Sequence, residues 1–291
     1  MVSQWPAVLV EAFAAEPLQG NGAAVVWLEQ PAHADWMQGV AASLQQSETA
    51  FLHCNTAGLW RLRWFTPSCE VPLCGHATLA ATVALAHWGR LLPGQALRLA
   101  SRSGGLDVAL VDPPTPAGAC TASLVLPSSG LVAESIPEDL GQRLGVEVVA
   151  YWSSPLGYCV ALIPEAVDLA GLPNPASALR GPERQGLVVM QSLVDGSWDY
   201  QLRFFAPGLG IPEDPVTGSA HALVAPWWME RLGRQAVRGW QPSARRGGML
   251  CESAGPGLVR LTGVGQLLWD GRINASSAGF DPSSWDAVVS L

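Results

Sequence analysis

The hydrophobic positions of this chain fall mostly in short runs that glycine and proline interrupt. Residues 7–13, 23–28, 50–53 and 59–65 are each apolar or alternating and rich in β-branched or aromatic side chains. Runs of about four to eight residues with this composition are typical of β-strands. The turn-forming residues 17–22 separate the first two runs. The pattern therefore predicts a protein rich in β-structure.

Three segments have helical patterns instead. In residues 35–44 the apolar side chains recur three and four positions apart, which predicts an amphipathic helix. Residues 77–88 are alanine-rich and almost uncharged, and residues 220–232 are apolar nearly all round. A helix without a polar face is buried on most sides, so we expect both of these helices to lie inside the protein.

The strand predicted at residues 59–65 recurs later in the chain. Residues 62–67 read LRWFTP, and residues 202–207, 140 positions further on, read LRFFAP. Each copy continues through an irregular loop into a small-residue helix, which Gly75 opens in one copy and Gly218 in the other. Shared composition can explain a few matching positions, but hardly the whole order of strand, loop and helix. We infer two copies of one unit, and the proline- and glycine-rich residues 112–119 are the predicted linker.

Charge and composition exclude several functions. The 291 residues include 24 acidic and 16 basic side chains, a net charge of −8, whereas a nucleic-acid-binding surface has to be basic. All the basic residues are arginine. Without lysine the chain cannot form a pyridoxal-phosphate Schiff base, act as a lysine aldolase or carry the phosphate-binding loop of NTPases. We therefore expect no nucleic-acid partner and none of these activities.

The expected compartment is the cytoplasm. Residues 1–20 have no basic segment ahead of an apolar one and contain Glu11 and Glu16, so they do not resemble a secretory signal. No apolar run reaches the ~18 residues that a membrane span needs, so no membrane partner is expected. The six cysteines are scattered without a paired spacing, as in reduced cytosolic proteins.

The starts of the two small-residue helices are candidate anion sites. Backbone N–H groups are unpaired there and the helix dipole is positive, so two such ends facing one cleft would bind a carboxylate or phosphate. When the two copies are aligned 140 residues apart, Cys74 corresponds to Asp214. Ionisable groups on opposite sides of a bound anion suit proton transfer to or from carbon, and this chemistry demands no cofactor.

Glu48 and His76 are the candidate acid–base residues. Glu48 precedes the apolar strand at residues 50–53, where a carboxylate loses water and becomes a better proton acceptor. Its position alone fits a solvated turn after the first helix better. His76 could donate a hydrogen bond to the anion or carry a proton, although a lone histidine is more often a capping or core residue. His221 stands inside an apolar stretch, and we interpret it as structural.

Other chemistries have weaker support. Cys69, Cys74 and His76 have the spacing C-x4-C-x-H, which matches no usual zinc motif, so no metal is expected. A helix start could activate Cys74 as a nucleophile, but residues two apart do not normally face each other and the chain has no nucleophile elbow. Residues 208–210 read GLG and do not continue into a dinucleotide fingerprint, so no nicotinamide or flavin cofactor is expected.

Four motifs, in order over nearly the whole chain, are shared with a known family. They are Glu11–Ala12–Phe13 with Gly20 and Asn21, SETAF at residues 47–51, FTP with LCGHATLA at residues 65–67 and 73–80, and GIPEDPVTGSAHA at residues 210–222. In this order they resemble the phenazine-biosynthesis PhzF-like isomerase family, which shares the diaminopimelate epimerase fold. Gly22 departs from the pattern, because the family usually has proline there.

The resemblance implies an α+β fold. Two pseudo-symmetric domains are expected, each a curved β-sheet wrapped around a central helix, with the site in the cleft between them. The N-terminal domain would comprise residues 1–115, joined by residues 276–291, and the C-terminal domain residues 116–275. The helices predicted at residues 77–88 and 220–232 fit the central positions.

The resemblance also implies roles for matching residues. The glutamate of SETAF, here Glu48, is the proposed base of the family, and His76, Asp214 and Ser219 match residues that line its site. Related epimerases have a cysteine at the head of each central helix. Here Cys74 is at one of them, and Asp214 is assigned to the other place. This mixed pair disfavours a two-thiol racemase and favours a mechanism in which Glu48 handles most of the proton transfer.

The sequence therefore predicts a cofactor-independent isomerase or epimerase that moves a proton on a small cyclic or amino-acid-like carboxylate. Glu48 would act as the base, while Asp214 and His76 would orient the substrate or relay protons. The expected substrate-binding residues are Asn21, Cys74, Gly75, Gly218 and Ser219. Two alternatives stay open: a protein that binds a small anion without turning it over, and a Cys74-dependent hydrolase or thiol sensor. An exposed tryptophan-rich surface would favour a homodimer.

Overall fold

The computed structural model describes residues 3–193, 196–275, 281–286 and 288. Contacts divide the chain into two compact units, Met1–Val125 with Thr262–Leu291 (unit 1) and Leu126–Leu261 (unit 2). The helices are α1 (Ala34–Leu44), α2 (Gly75–His87), α3 (Leu140–Leu144) and α4 (Gly218–Leu232). Among the described residues, no helix is long and apolar enough to span a membrane.

Most of the remaining regular structure is extended, as the alternation of short apolar runs predicts. The strands are β1 (Ser3–Ala12), β2 (Asn21–Leu28), β3 (Glu48–Cys54), β4 (Trp60–Phe65), β5 (Glu70–Val71), β6 (Ala96–Ser101), β7 (Gly104–Asp112), β8 (Ala119–Pro127), β9 (Val132–Glu134), β10 (Ala150–Ser153), β11 (Cys159–Leu162), β12 (Leu187–Ser192), β13 (Tyr200–Ala206), β14 (Ile211–Asp214), β15 (Ala236–Gln241), β16 (Gly247–Gly255) and β17 (Leu258–Ala275).

The strands of unit 1 form a ring. β1 pairs antiparallel with β17 and β2, β2 pairs parallel with β3, and β3 pairs antiparallel with β4. β4 pairs parallel with β6, and β6, β7 and β8 then follow antiparallel to one another. β8 also pairs with β17, which closes the ring. Because these two strands are far apart in sequence, local patterns could not predict the closure.

Helix α2 lies against several strands of this ring. It packs against β1, β2, β3 and β7, and every residue from Gly75 to Leu85 is buried. Its small alanine side chains allow strands to approach from several directions, so the helix needs no polar face. The prediction of a helix buried on most sides is confirmed. His76, in its first turn, is the ionisable residue of this buried stretch.

Helix α1 covers the opposite face of the sheet. Met37 and Ala41 are its buried residues, and they pack with Phe51 of β3 in an apolar cluster. The other side chains of α1 are partly or fully exposed, so the amphipathic prediction is confirmed. Trp285 also packs in this cluster. Of the C-terminal segment predicted to join this domain, residues 276–280, 287 and 289–291 lie outside the described residues.

Unit 2 repeats the strand order of unit 1. The parallel pair β2–β3 has its counterpart in β11–β12, and the antiparallel strand that follows, β4, has its counterpart in β13. In each unit a short strand and a buried helix come next. The strand after the helix then pairs in parallel with the strand before it, β6 with β4 in unit 1 and β15 with β13 in unit 2. Helix α4 packs against β15 and β16. The predicted duplication and the α+β fold are confirmed.

The repeat extends to one buried ion pair in each unit. Arg63 on β4 donates from Nε and Nη2 to the two carboxylate oxygens of Glu70, at 2.7 and 2.8 Å. Arg203 on β13 holds Glu213 in the same way, at 2.7 and 2.6 Å. Two parallel N–H···O bonds hold the carboxylate in one orientation, in addition to the attraction between the opposite charges. Each pair therefore anchors the loop that leads to the buried helix of its unit.

These ion pairs correct the alignment of the two copies. Arg63 and Arg203 lie 140 positions apart, whereas Glu70 and Glu213 lie 143 positions apart. The extra residues of the second copy fall in the loop that carries the short helix Pro207–Leu209. Cys74, the N-cap of α2, therefore corresponds to the N-cap of α4, which is Thr217. The correspondence of Cys74 with Asp214 expected from the sequence is wrong.

Candidate active site

Glu48 is the first residue of β3. The parallel pairing of β2 and β3 sets it opposite Ala23, and its side chain is buried. Because strand side chains alternate between faces, Glu48 lies on the face opposite to Thr49 and Phe51. The interpretation of Glu48 as a solvated residue in the turn after α1 is wrong.

His76 meets this carboxylate from the first turn of α2. Its Nε2 lies 3.0 Å from Oε2 of Glu48, and both side chains are buried. A carboxylate and an imidazole at hydrogen-bond distance can pass a proton between them. Low solvent access strengthens their interaction, since little water is present to screen it. The two candidate acid–base residues therefore form one pair.

Asn21 and Ser47 extend this pair into a chain of polar contacts. Asn21 is the first residue of β2 and is fully buried. Its Nδ2 lies 3.2 Å from Nδ1 of His76. Ser47 donates from Oγ to Oδ1 of Asn21 at 3.1 Å. Both nitrogens of the His76 ring thus have a polar neighbour.

Cys74 completes the cluster. Its Sγ lies 3.5 Å from Nδ1 of His76, because the extended backbone of the N-cap residue turns the thiol toward the helix start. The expectation that residues two apart do not face each other is wrong here. Burial, and then the negative charge of Glu48, raise the pKa of Cys74 to about 11. The thiol is protonated at neutral pH, which disfavours a nucleophilic or sensing thiolate.

We expect Cys74 to react slowly with iodoacetamide in the native protein at pH 7. A pKa of about 11 leaves a thiolate fraction of about 10⁻⁴ at that pH, and burial limits access further. The exposed Cys69 is the internal control and should be alkylated first. Mass spectrometry of digested protein over time measures both rates. Equal rates at the two cysteines would show that Cys74 is an accessible thiolate, as a thiol sensor requires.

The protonation of His76 is set by opposing effects. Burial by itself lowers the pKa of this imidazole, but the negative charges and hydrogen bonds of Cys74 and Glu48 outweigh burial and raise the pKa well above its ordinary value. Because the Cys74 thiol is uncharged at neutral pH, the negative charge that acts on His76 at that pH is the charge of Glu48. The Glu48 carboxylate therefore favours the protonated form of the His76 ring.

The same cluster has the donor atoms of a metal site but a different geometry. A carboxylate oxygen, a sulfur and an imidazole nitrogen lie within 4.8 Å of one another. An ion would need Nε2 of His76, which already faces Glu48 at 3.0 Å, and a thiolate from Cys74, whose raised pKa opposes deprotonation. This arrangement suits proton transfer better than metal binding.

In unit 2, the predicted residues Asp214 and Ser219 lie around the start of α4. Thr217 donates from Oγ1 to Oδ2 of Asp214 at 2.6 Å, and the hydroxyl of Ser219 lies 3.4 Å from that of Tyr158. Gln241 is fully buried, accepts from the Thr217 backbone N–H at 2.8 Å and donates to the Asp214 carbonyl at 2.6 Å. The amide of Gln241 thus holds the turn that carries Asp214.

Three polar residues of this arrangement were missed by the sequence analysis. Thr217 could have been found, because threonine is favoured at the residue before a helix. Tyr158 precedes β11 and Gln241 ends β15, so each is distant in sequence from the start of α4. Nothing local marks either residue. Only the folded chain brings them to Ser219 and Asp214.

His221 is structural, as predicted. Its Nδ1 lies 2.8 Å from the hydroxyl of Tyr200, and burial lowers the pKa of His221 to about 3. The ring is therefore neutral at physiological pH. Gly239 allows this packing, because a side chain there would collide with Tyr200 and His221.

The predicted site residues thus fall into two groups. Unit 1 brings together Asn21, Glu48, Cys74, Gly75 and His76. Unit 2 brings together Asp214, Gly218 and Ser219.

Comparisons with known proteins agree with this fold. Residues 10–268 match the sequence model of a family described as phenazine biosynthesis-like protein. An uncharacterized isomerase of Pseudomonas aeruginosa is 38% identical over 269 residues, which is 92% of this chain and 97% of the relative. The crystal structure of a PhzF-family phenazine biosynthesis protein from Enterococcus faecalis has a TM-score of 0.81 and 31% identity, covering 93% of this chain and 99% of that chain.

A more distant neighbour shares the fold alone. The crystal structure of a hydroxyproline epimerase from Agrobacterium vitis, with bound trans-4-hydroxy-L-proline, has a TM-score of 0.62. Its sequence identity is 12%, and 99% of each chain is covered. The architecture is therefore retained over the whole chain at very low sequence similarity.

Proposed function

The chain belongs to the phenazine biosynthesis-like family and is an isomerase, and from this premise we propose that it moves a proton on a small cyclic or amino-acid-like carboxylate without a cofactor. The main support is the buried contact of Glu48 Oε2 with His76 Nε2 at 3.0 Å. A proton bound to carbon is weakly acidic, and its removal needs a base that water does not screen. Glu48 is held in such a place.

In the proposed reaction Glu48 removes a proton from carbon, and the electron pair left behind moves into the adjacent π-system of the substrate. Either a second proton donor then protonates the same carbon from the opposite face, or Glu48 delivers its proton to another atom of the same molecule. The first outcome is epimerisation and the second is double-bond isomerisation. His76 relays the proton or stabilises the Glu48 carboxylate between the two steps. General acid–base assistance of this kind contributes about 10²–10⁴-fold to the rate.

The substrate carboxylate is proposed to bind at helix starts. Gly75 and His76 open α2, where backbone N–H groups and the positive end of the helix dipole favour an anion. Gly218 and Ser219 open α4 in the same way in unit 2. Asp214, held by Thr217 and Gln241, is proposed to orient the substrate or to relay a proton.

Cofactor independence is part of the proposal because the acid and the base are both side chains of this protein. Glu48 accepts a proton and the His76 imidazole holds one at a distance of 3.0 Å. Neither step needs an electron carrier or a Schiff base. Carbon–hydrogen exchange by protein as isolated and after exhaustive dialysis against a chelator should therefore be the same.

The test is proton NMR of candidate carboxylates incubated with the protein in D₂O. The panel contains cyclic and linear amino acids, including hydroxyproline, and cyclic unsaturated carboxylates. We expect deuterium to replace one carbon-bound hydrogen in at least one compound, because the carbanion formed by Glu48 is reprotonated from a pool that exchanges with solvent. Heat-inactivated protein is the matched control, and it should leave every signal intact.

Two results separate the proposal from the alternative of a binding protein. Exchange with native protein alone supports proton transfer and identifies the substrate class in the same spectrum. Line broadening of a ligand that shows no exchange over many hours would instead establish binding without turnover, and would contradict the proposal for that ligand.

A cytoplasmic location is proposed as well. All six cysteines are free thiols and four of them are buried, which suits a reducing compartment. Association into a homodimer stays a prediction from the tryptophan content. Trp269, which is 46% exposed, is one residue of the surface that could take part.

A further inference from the structure

We propose that Asn21, held by Ser47, is a positioning residue that keeps the single proton of the neutral His76 ring on Nε2, where it faces Glu48. This inference rests on the proposed function, since it assigns a role within the same acid–base pair. It goes beyond substrate binding, the role that the sequence suggests for Asn21. The residue would act through His76 rather than on the substrate.

The contacts run in one line through four side chains. Ser47 donates from Oγ to Oδ1 of Asn21 at 3.1 Å, and Nδ2 of Asn21 lies 3.2 Å from Nδ1 of His76. Nε2 of the same ring lies 3.0 Å from Oε2 of Glu48. Asn21 is fully buried and His76 is 5% exposed, so water has little access to this line.

The chemistry of the Asn21 amide decides which nitrogen of the His76 ring carries the proton. The NH₂ group of asparagine can only donate, so the ring nitrogen that faces it must accept and carries no proton. Ser47 donates from Oγ to Oδ1 of Asn21, and in this arrangement the NH₂ group of the amide lies toward the ring. The proton of the neutral ring therefore lies on Nε2, the ring nitrogen 3.0 Å from Oε2 of Glu48.

Cys74 lies beside the ring without selecting one nitrogen. Its Sγ lies 3.5 Å from Nδ1 and 4.0 Å from Nε2 of His76. The amide of Asn21 is therefore the donor set against Nδ1, and it counteracts Glu48, which favours the doubly protonated ring.

The backbone leaves Asn21 little freedom to move. It pairs with Ala12 of β1, and Ala23, two residues along β2, pairs with Glu48 of β3. Gly20 precedes it with φ of +80°, and a Cβ there would approach the Ala12 carbonyl oxygen to 2.6 Å. Glycine at position 20 therefore permits the tight turn that delivers Asn21 to His76.

Few charges compete with this arrangement. Glu48 on β3 and Cys74 ahead of α2 are the titratable groups that act on the ring. The other strands packed against α2 bring Glu11 on β1 and Asp107 and Asp112 on β7, and none of these three is a main cause of the shift of His76. The form proposed to remove a proton from carbon pairs the Glu48 carboxylate with the neutral His76 ring. A donor at Nδ1 keeps the ring in this neutral form down to lower pH.

The test is ¹⁵N NMR of histidine-labelled protein between pH 6 and pH 10, without substrate. The chemical shifts of the two ring nitrogens report directly which one carries a proton. The chain has five histidines, and the His76 signals are assigned by their absence from His76→Asn protein. We expect wild-type His76 to reach a neutral form within this range with its proton on Nε2. A proton on Nδ1, or a doubly protonated ring throughout, would overturn the proposal.

Three variants test the cause. Asn21→Asp places an acceptor at Nδ1 and should move the His76 titration up by at least one pH unit. Ser47→Ala frees the amide to rotate and should move it in the same direction by less. Asn21→Leu removes the donor and should populate the Nδ1–H form. Asn274→Asp is the matched control, because Asn274 is exposed and an aspartate there can still accept from Gln4, and it should change nothing. Unchanged His76 titrations in folded Asn21→Asp and Ser47→Ala proteins would contradict the assignment.

Kinetics give a second readout that a merely structural role would not move. In Asn21→Asp the acidic limb of kcat/KM against pH should shift up by the same interval as the His76 titration. Absence of any carbon–hydrogen exchange by wild-type protein would instead count against the proposed function, and the ¹⁵N spectra would still decide the position of the proton. The two failures are therefore distinguishable.

Discussion

Glu48→Gln is expected to lower the rate of carbon–hydrogen exchange by at least 10²–10⁴-fold, the contribution of a positioned general base. Glutamine has nearly the same shape, and its Oε1 can still accept a hydrogen bond from Nε2 of His76. It cannot take up a proton from carbon at physiological pH. Steady-state rates of deuterium incorporation measure the effect, and ligand binding by line broadening should change far less than the rate.

The matched control for this experiment is Glu147→Gln. Glu147 is exposed in unit 2, so the same chemical change there should leave the exchange rate within the error of the wild type. Circular dichroism and thermal unfolding verify that both variants fold. Wild-type exchange in folded Glu48→Gln protein would show that another group is the base.

Arg203→Met is expected to reduce the free energy of unfolding by about 3–5 kcal/mol, the range for removing one partner of a buried ion pair. Arg203 and Glu213 have little exposure, and the variant leaves the Glu213 carboxylate buried without its two N–H donors. Urea unfolding followed by fluorescence measures the change. Because the pair anchors the loop before Asp214, the variant should also lose activity.

The control is Arg98→Met, which removes one partner of the exposed Arg98–Asp107 pair. Exposed pairs contribute about 0–1 kcal/mol, so this variant should be nearly as stable as the wild type. The double variant Arg203→Met/Glu213→Leu should recover much of the loss, since an apolar pair of similar volume leaves no buried charge unpaired. Equal losses in Arg98→Met and Arg203→Met would contradict the role given to the buried pair.

The local elements of this fold were predictable because their signals are local. The spacing of apolar side chains identified α1, and the nearly continuous apolar sequence identified α2 and the first turns of α4 as buried. The repeated LRWFTP and LRFFAP segments became β4 and β13. Such patterns depend only on residues close in sequence, so they can be recognised without knowledge of the rest of the chain.

The register between the two copies was predictable only in part. The offset is 140 at the repeated strands and 143 at the helix starts, Gly75 and Gly218. Applying the first offset to the loop assigned Asp214 to the position of Cys74, whereas the ion pairs of Glu70 and Glu213 show that Thr217 holds it. The contacts of these flanking residues decide which offset applies within the loop.

By itself the sequence determined the duplication, the buried central helices, the family resemblance and Glu48 and His76 as acid–base candidates. Only the tertiary structure decided that Glu48 and His76 touch, that Asn21 and Cys74 both contact the His76 ring, and that the Cys74 thiol stays protonated. These facts depend on the parallel pairing of β2 with β3 and on the burial of α2. Distance and solvent access belong to the folded chain, because segments remote in sequence must meet before either is defined.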